Sequence, residues 1–582
     1  MTRAGRTRDA APAGSQRPGG VSRLQPGRPS IRRLLGVLAC AAVMAGACGG
    51  SGVPQQGTPG APVPAPAGSS PAPAGSGAGA GRSPSSSAAP AATGSQASGP
   101  PSPSPVPPAP TVPLAVATGF ANYRITGVTS ARLATLLRTG KVVVPCGAGD
   151  AIARELGLAG TSGWAPCARA DAIPAHLSMR SSALALLPAG LVSARIRVVP
   201  LDGADLFGEK PARSARYPLT VPVPASWPVS WSAYDVRDVR VVLGTGVNCP
   251  DRDVSRQTVV LGRGWDWLLK AGTARYTGTH WDARLGWTVV DATRTGNSGA
   301  VRRLIRDADV AVSDFECPMT RNFVQHDTGT TFSIDPRVAT LMAKAGFDVA
   351  TPATDHATNA GLAAVGETVD RFRAAGIATT GTGRTLAQAL RPAIVDAGGV
   401  TFGFVGFDAI GGSAYATASS PGVAPLTTAT ARKAIAAARK AGADVVIALP
   451  QWSSVEYRAA FTPFQRTLMA QLYAAGADHI VGADFHWAGA VSITPGGRSG
   501  DRFAGASQGN FWFGQDWSRQ TMEGVMTMLT FSGTRLVQAR LIPTVVLDGA
   551  QPNLTDPATD GQYVLHQALD VSEVAPAEVQ AP

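Results

Sequence analysis

The sequence predicts an α/β protein organised around a largely parallel sheet, on three observations. Short apolar runs alternate with helical segments from Val239 to about Val546, which is the signature of repeated strand-helix units. A glycine closes each of four helical segments, as a left-handed cap requires. Four polar clusters each follow an apolar run directly: Ser313-Asp314-Phe315-Glu316, Thr354-Asp355-His356, Gly482-Ala483-Asp484-Phe485-His486 and Ser507-Gln508-Gly509-Asn510. Carboxylates and imidazoles at strand ends are how an α/β sheet builds a site.

The elements follow in chain order. Strands are predicted at Val239 to Leu243, Val310 to Val312, Val349-Ala350, Ile394-Val395, Thr401 to Gly406, Val445 to Leu449 and His479 to Gly482. Helices are predicted at Val338 to Ala345, Leu362 to Ala375, Ala429 to Ala441 and Phe464 to Ala475, stopped by Gly346, Gly376, Gly442 and Gly476. Three of the seven histidines lie in or beside the polar clusters, so scarce imidazole is concentrated where a metal or an acid/base pair would sit.

The first 48 residues read as a signal peptide. Arginine-rich residues 1–33 precede the apolar run Leu34 to Ala47, which is too short to span a bilayer as a mature helix. Ala45-Gly46-Ala47-Cys48 resembles a bacterial lipobox with Cys48 as the lipidated residue, although Ala45 replaces the usual leucine. Residues 49–112, rich in Pro, Ala, Gly and Ser, read as a disordered tether. Export lipid-anchored to the outer face of the cytoplasmic membrane, or secretion, is the expected localisation.

The full chain carries +12. Its first 48 residues hold eight basic and one acidic residue, so the mature part has 43 basic against 38 acidic, or +5. No basic cluster remains that would form a nucleic-acid face. Four cysteines persist beyond Cys48, and in an exported protein they pair most naturally by domain as Cys146 with Cys167 and Cys249 with Cys317. Residues 113–238 hold β-rich runs, among them Lys141 to Pro145, Ala183 to Pro188, Ala194 to Pro200 and Tyr217 to Val221, and read as a small accessory α/β domain. Residues 239–552 form the main domain. The acidic, Pro- and Ala-containing tail 553–582 is expected to carry little order.

Five motifs in order, Ala345 to Gly361, Ala375 to Gly383, Gln451-Trp452-Ser453, Ala477 to Gly482 and Gly509 to Phe513, resemble the CapA family of poly-γ-glutamate and capsule-synthesis proteins. The resemblance implies a metallophosphoesterase-like α/β/β/α sandwich with a metal centre at the strand ends. It also exposes departures. Val247 stands where the family carries an aspartate, Gln451 and Ala483 where it carries histidines, and Asp314, Asp355 and Asp484 bring new carboxylates.

The implied metal set is therefore Glu316, Asp355, His356, Asp484 and His486, with Asp314, Gln451 and Asn510 in support. Such an oxygen-rich set suits Mg²⁺, Mn²⁺ or Ca²⁺. The competing arrangement is metal-free, with Asp355 and Asp484 paired to the two histidines. Glu316, His356 and His486 are the expected catalytic groups of a metal-dependent hydrolase or transferase, and the losses at Val247, Gln451 and Ala483 argue against two-metal catalysis. The alternatives are a non-catalytic polymer-binding protein and an envelope scaffold whose accessory domain recruits a protein partner. The expected partners are a cell-envelope polymer and, through the lipid anchor, the membrane.

Several other residues carry bland readings. Trp265, Trp267, Trp281 and Trp287 could stack on sugars but read first as packing residues. His280 and His326 read as surface histidines, and Ser453 lacks a neighbouring His/Asp pair for serine hydrolase chemistry.

Overall fold

The computed structural model describes residues 110–575 apart from 179–182, 213, 284 and 454. The expected signal peptide, Cys48 and nearly all of the expected tether lie outside the described residues.

Two sheets face one another in the main part. The first runs in the order Ala378–Thr379, Val349–Thr351, Val310–Phe315, Val239–Asn248, Glu523–Ser532, Arg535–Leu547 and Gln551–Leu554. The second runs Ala393–Ala397, Val400–Asp408, Val445–Gln451, His479–Val481, Gly500–Gly505 and Val491–Gly497. In the first sheet pairing is parallel from Ala378–Thr379 to Val239–Asn248 and antiparallel beyond it; in the second it is parallel from Val400–Asp408 to Gly500–Gly505 and antiparallel at both edges.

Side-chain alternation along the strands builds three apolar layers. Val242, Val310, Phe402, Phe404, Ile447 and Phe531 meet between the sheets. Val241, Leu243 and Ala311 turn the other way, onto helices Ala300–Asp307, Arg337–Ala345 and Leu362–Ala374. Val405, Val446 and Ile480 pack outward against helices Thr428–Lys440 and Pro463–Ala474. The result is an α/β/β/α sandwich, as the family resemblance implies.

The helices start and stop where local chemistry directs. Thr427 and Thr462 each close a capping box with the residue three positions on, and Gly346 takes φ 107° to end its helix. Both long antiparallel hairpins, Thr273–Asp282 with Trp287–Gly296 and Glu523–Ser532 with Arg535–Leu547, depart from the expected strand-helix alternation. The expectation for the tail is corrected as well. Gln551–Leu554 pairs into the first sheet, and helix Gln562–Leu569 buries Val564, Leu565 and Ala568 against the inter-sheet core.

Residues 111–222 form a separate five-stranded sheet in which Thr111–Gly119 is flanked antiparallel by Leu184–Pro188 and Ile196–Val199. It has its own core, and it docks on the Glu523–Ser532/Arg535–Leu547 hairpin through buried polar bonds. The Val198 amide donates to Gln538 Oε1 at 2.7 Å, the Leu541 amide donates to the Tyr123 hydroxyl at 2.7 Å, and Arg540 pairs with Asp205. Cys146 is bonded to Cys167 and Cys249 to Cys317, the two pairs expected.

Candidate metal centre

The site gathers at the carboxyl ends of strands from both sheets. Asp314 and Glu316 end Val310–Phe315, Asp355 and His356 follow Val349–Thr351, and Asp408 and Gln451 end their strands. Asp484 and His486 follow His479–Val481, and Asn510 opens Asn510–Trp512. Close approach of the backbones demands glycine at two points. A Cβ at Gly246 would meet Gly509 O at 2.1 Å, and one at Gly482 would meet the Trp452 indole nitrogen at 2.2 Å. Trp452 thereby packs directly over the strand end that carries Asp484, beside Gln451.

Glu316, Asp355 and Asp484 each offer an oxygen within 4.8 Å of the other two. The amide nitrogen of Gln451 sits among them, donating to Asp355 Oδ1 at 2.9 Å, Asp484 Oδ1 at 3.2 Å and Glu316 Oε1 at 3.3 Å. Asp314 and Asp408 are also buried nearby. Burial, with the Asp355 charge adding to it, raises Asp314 to about 8. Burial raises Asp408 to about 7 and drives Glu316 and Asp484 well above their ordinary values, the neighbouring carboxylates pushing the last two further. Asp355 is raised by burial too, against the pull of His356.

The donor set fits a cation. Among the described residues no lysine or arginine is ion-paired to any of these five acids, and Asp314 Oδ2, Glu316 Oε2, Asp408 Oδ2 and Gln451 Oε1 are buried without a hydrogen-bond partner. Buried oxygens of that kind cost stability unless a donor or a cation meets them. Rotating the Gln451 amide by half a turn would exchange a donor for an acceptor in the middle of the trio.

The two histidines flank the trio without joining its group of mutually close ligand atoms. His356 Nδ1 is 2.9 Å from Asn359 Oδ1, its Nε2 is 3.6 Å from Asp355 Oδ2, and its ring meets Phe332 edge-on. His486 Nδ1 is 2.9 Å from Asn510 Oδ1, and Asn510 is itself fixed by donating to Gln515 and Thr521. An amide oxygen there accepts the Nδ1 hydrogen and leaves Nε2 as the free nitrogen. Burial lowers His486 to about 4. Among the described residues, four of the seven non-glycine positions with positive φ, Arg252, Tyr457, Asp484 and His486, belong to this region, so backbone strain is concentrated here.

Two features were not foreseen. Asp408 ends an apolar strand as a lone carboxylate, and only the sheet order brings it to the others. His326, read as a surface residue, is paired through Nδ1 with fully buried Asp251 at 2.6 Å, and that carboxylate also accepts the backbone amides of Arg252, His326 and Ser333. Val247 contributes its methyls to the helix-side core, and Ala483 is buried beside Pro450. Trp265 packs in the core, whereas Trp281 and Trp287 are exposed at the tip of their hairpin.

The model of the bacterial capsule synthesis protein family PGA_cap matches residues 259–515. Through this region, a little under half of the chain, the protein is similar to the capsule-synthesis proteins of the CapA family. The capsule biosynthesis protein CapA of Bacillus anthracis is 26% identical over 272 residues, covering 45% of this chain and 64% of that protein. The PGA biosynthesis protein CapA of Bacillus subtilis (strain 168) is 28% identical over 223 residues, covering 38% and 57%. The chain thus spans less than two thirds of either CapA relative. Among solved structures, a 5'-nucleotidase precursor from Thermus thermophilus overlaps 56% of this chain and 58% of its own, with 13% identity and a TM-score of 0.30. The calcineurin-like phosphoesterase YfkN from Bacillus subtilis overlaps 56% and 97%, with 13% identity and a TM-score of 0.27. The sandwich assignment rests on the strand order and layers of the chain itself.

Proposed function

We propose that this protein serves capsule or anionic envelope-polymer synthesis, anchoring or processing outside the cytoplasm, with Glu316, Asp355 and Asp484 as the seat of one divalent cation. The carrying observation is the ring of three carboxylates around the Gln451 amide, with orphaned buried oxygens beside it. All-oxygen donors favour Mg²⁺, Mn²⁺ or Ca²⁺. Such a cation would supply Lewis-acid polarisation of a phosphoryl or carbonyl oxygen. His486, held by Asn510 with Nε2 unprotonated, would take a proton from an attacking water, and His356, held by Asn359, presents its Nε2 for proton transfer to a leaving group. The similarity to two capsule and PGA biosynthesis proteins supports the capsule role, and the two disulfides and signal-like leader support export. Anchoring through Cys48 belongs to the same proposal.

A second reading, polymer binding without turnover, draws on the same amide. Gln451 satisfies one oxygen of each carboxylate by itself, as a metal-free site would need. Metal titration of the chelator-treated protein separates the two. Uptake of Mn²⁺ that Glu316→Gln abolishes supports the cation site, and polymer retention with no metal uptake supports the binding protein.

A further inference from the structure

Arg252 is a buried cation with no ion-paired anion among the described residues. It is 8% exposed, follows the last strand residue of Val239–Asn248 by four positions, and takes φ 45°. Its guanidinium carbon lies 5.0 Å from the ring centres of both Phe332 and Phe513 and 5.3 Å from that of Trp517. Those first two rings are the ones that pack against His356 and His486, with centroids 4.8 and 5.4 Å apart, so the guanidinium stands one ring away from each imidazole.

Its hydrogen bonds are few and neutral. Nη1 donates to Gly514 O at 3.4 Å and Nη2 to Gly329 O, while Nε is buried with no partner. The adjacent Asp251 is fully occupied by three backbone amides and His326. Desolvating a guanidinium among aromatic rings is costly unless an anion meets it, and the planar fork is shaped for an oxyanion. Strained backbone that persists at such a point marks a constraint other than packing.

We propose that Arg252 is the anion anchor of this cleft, binding a carboxylate or phosphate of the polymer beside the acidic centre. Residues 251–252, 326–333 and 513–517 then form a cationic and aromatic half that holds the substrate's charge, facing the acidic half that holds the cation. The inference rests on the proposed cleft but not on metal being bound.

The test uses the exported chain without its leader, in chelator, with three probes: a γ-linked glutamate oligomer, the same oligomer with its carboxylates amidated, and a glycerol phosphate oligomer. Arg252→Ala should weaken the anionic probe that binds by about tenfold or more, the value of one charged hydrogen-bonded pair, while the amidated oligomer changes little. Millimolar guanidinium should restore the lost affinity, which a merely structural role would not. Whichever anionic probe shows the loss identifies carboxylate or phosphate as the anchored group. Arg252→Lys keeps a cation between the rings and serves if the alanine variant does not fold; it should bind the anionic probe more weakly than the parent. Equal anionic binding by a folded variant and the parent, or no rescue by guanidinium, overturns the assignment. Mn²⁺ uptake by the same variants reports separately on the cation site.

Discussion

The side-chain amide nitrogen of Gln451 lies 2.9 Å from Asp355 Oδ1, the shortest of its three contacts to a ring of carboxylates of which Glu316 and Asp484 are buried and Asp355 is partly buried. In that position two amide hydrogens do part of the work that a cation would do. The contacts are neutral-to-charged hydrogen bonds, which leave most of the mutual repulsion of the acids in place.

Gln451→Ala should therefore destabilise the metal-free protein by about 2 kcal/mol, because it strips the buried Glu316 and Asp484 and the partly buried Asp355 of a donor each. Saturating Mn²⁺ should recover most of that loss. Thermal unfolding with and without metal measures both effects, and a variant equally unstable in each condition speaks against a shared role for amide and cation.

The chelated protein should lose stability as pH rises. Asp314 and Asp408 have folded values near 8 and 7, raised from 3.8 by burial. A group with a raised folded pKa stabilises below its unfolded value and loses that contribution as pH climbs through the folded one. The decline should run between about pH 4 and 8 and flatten in Asp314→Asn. Denaturant midpoints across this range check it.

His479 predicts an opposite, acid-side loss remote from metal. Burial lowers it to about 4, and its Nδ1 accepts the Phe503 amide hydrogen at 3.3 Å. A depressed folded value gives stability that is present above 6.5 and lost as pH falls towards 4, amounting to about 3 kcal/mol. His479→Asn, which keeps an acceptor and removes the titration, should flatten that limb.

The Cys249–Cys317 bond ties the end of Val239–Asn248 to the residue after Glu316. Loop closure over a 68-residue separation is worth about 4 kcal/mol. Replacing both cysteines by serine should cost stability of that order and weaken Mn²⁺ binding, since the Glu316 amide itself donates to Asn248 O at 3.0 Å. Unchanged metal affinity in the folded variant would show that the bond supports the sheet alone.

The strands and helices that carry the site were legible because apolar runs, caps and terminal glycines mark them locally. Helix Thr428–Lys440, for example, begins one residue before the expectation. The trio was legible as residue types, since Glu316, Asp355 and Asp484 each follow an apolar run. What joins them was not, because the neighbourhood of Gln451 and Asp408 is set by parallel pairing between strands far apart in sequence. His326 and Asp251 are 75 residues apart, so no local signal ties them. The ordered tail was missed because composition outweighed a short amphipathic stretch, Val564, Leu565 and Ala568, that could have shown it.

The measurement that bears most directly on the cation site is calorimetric titration of Mn²⁺ into chelator-treated protein, run in parallel on Glu316→Gln and Asp484→Asn. The account predicts one equivalent bound by the parent and none by either variant, with all three folded. Absence of binding to the parent, or binding that survives both substitutions, would contradict it.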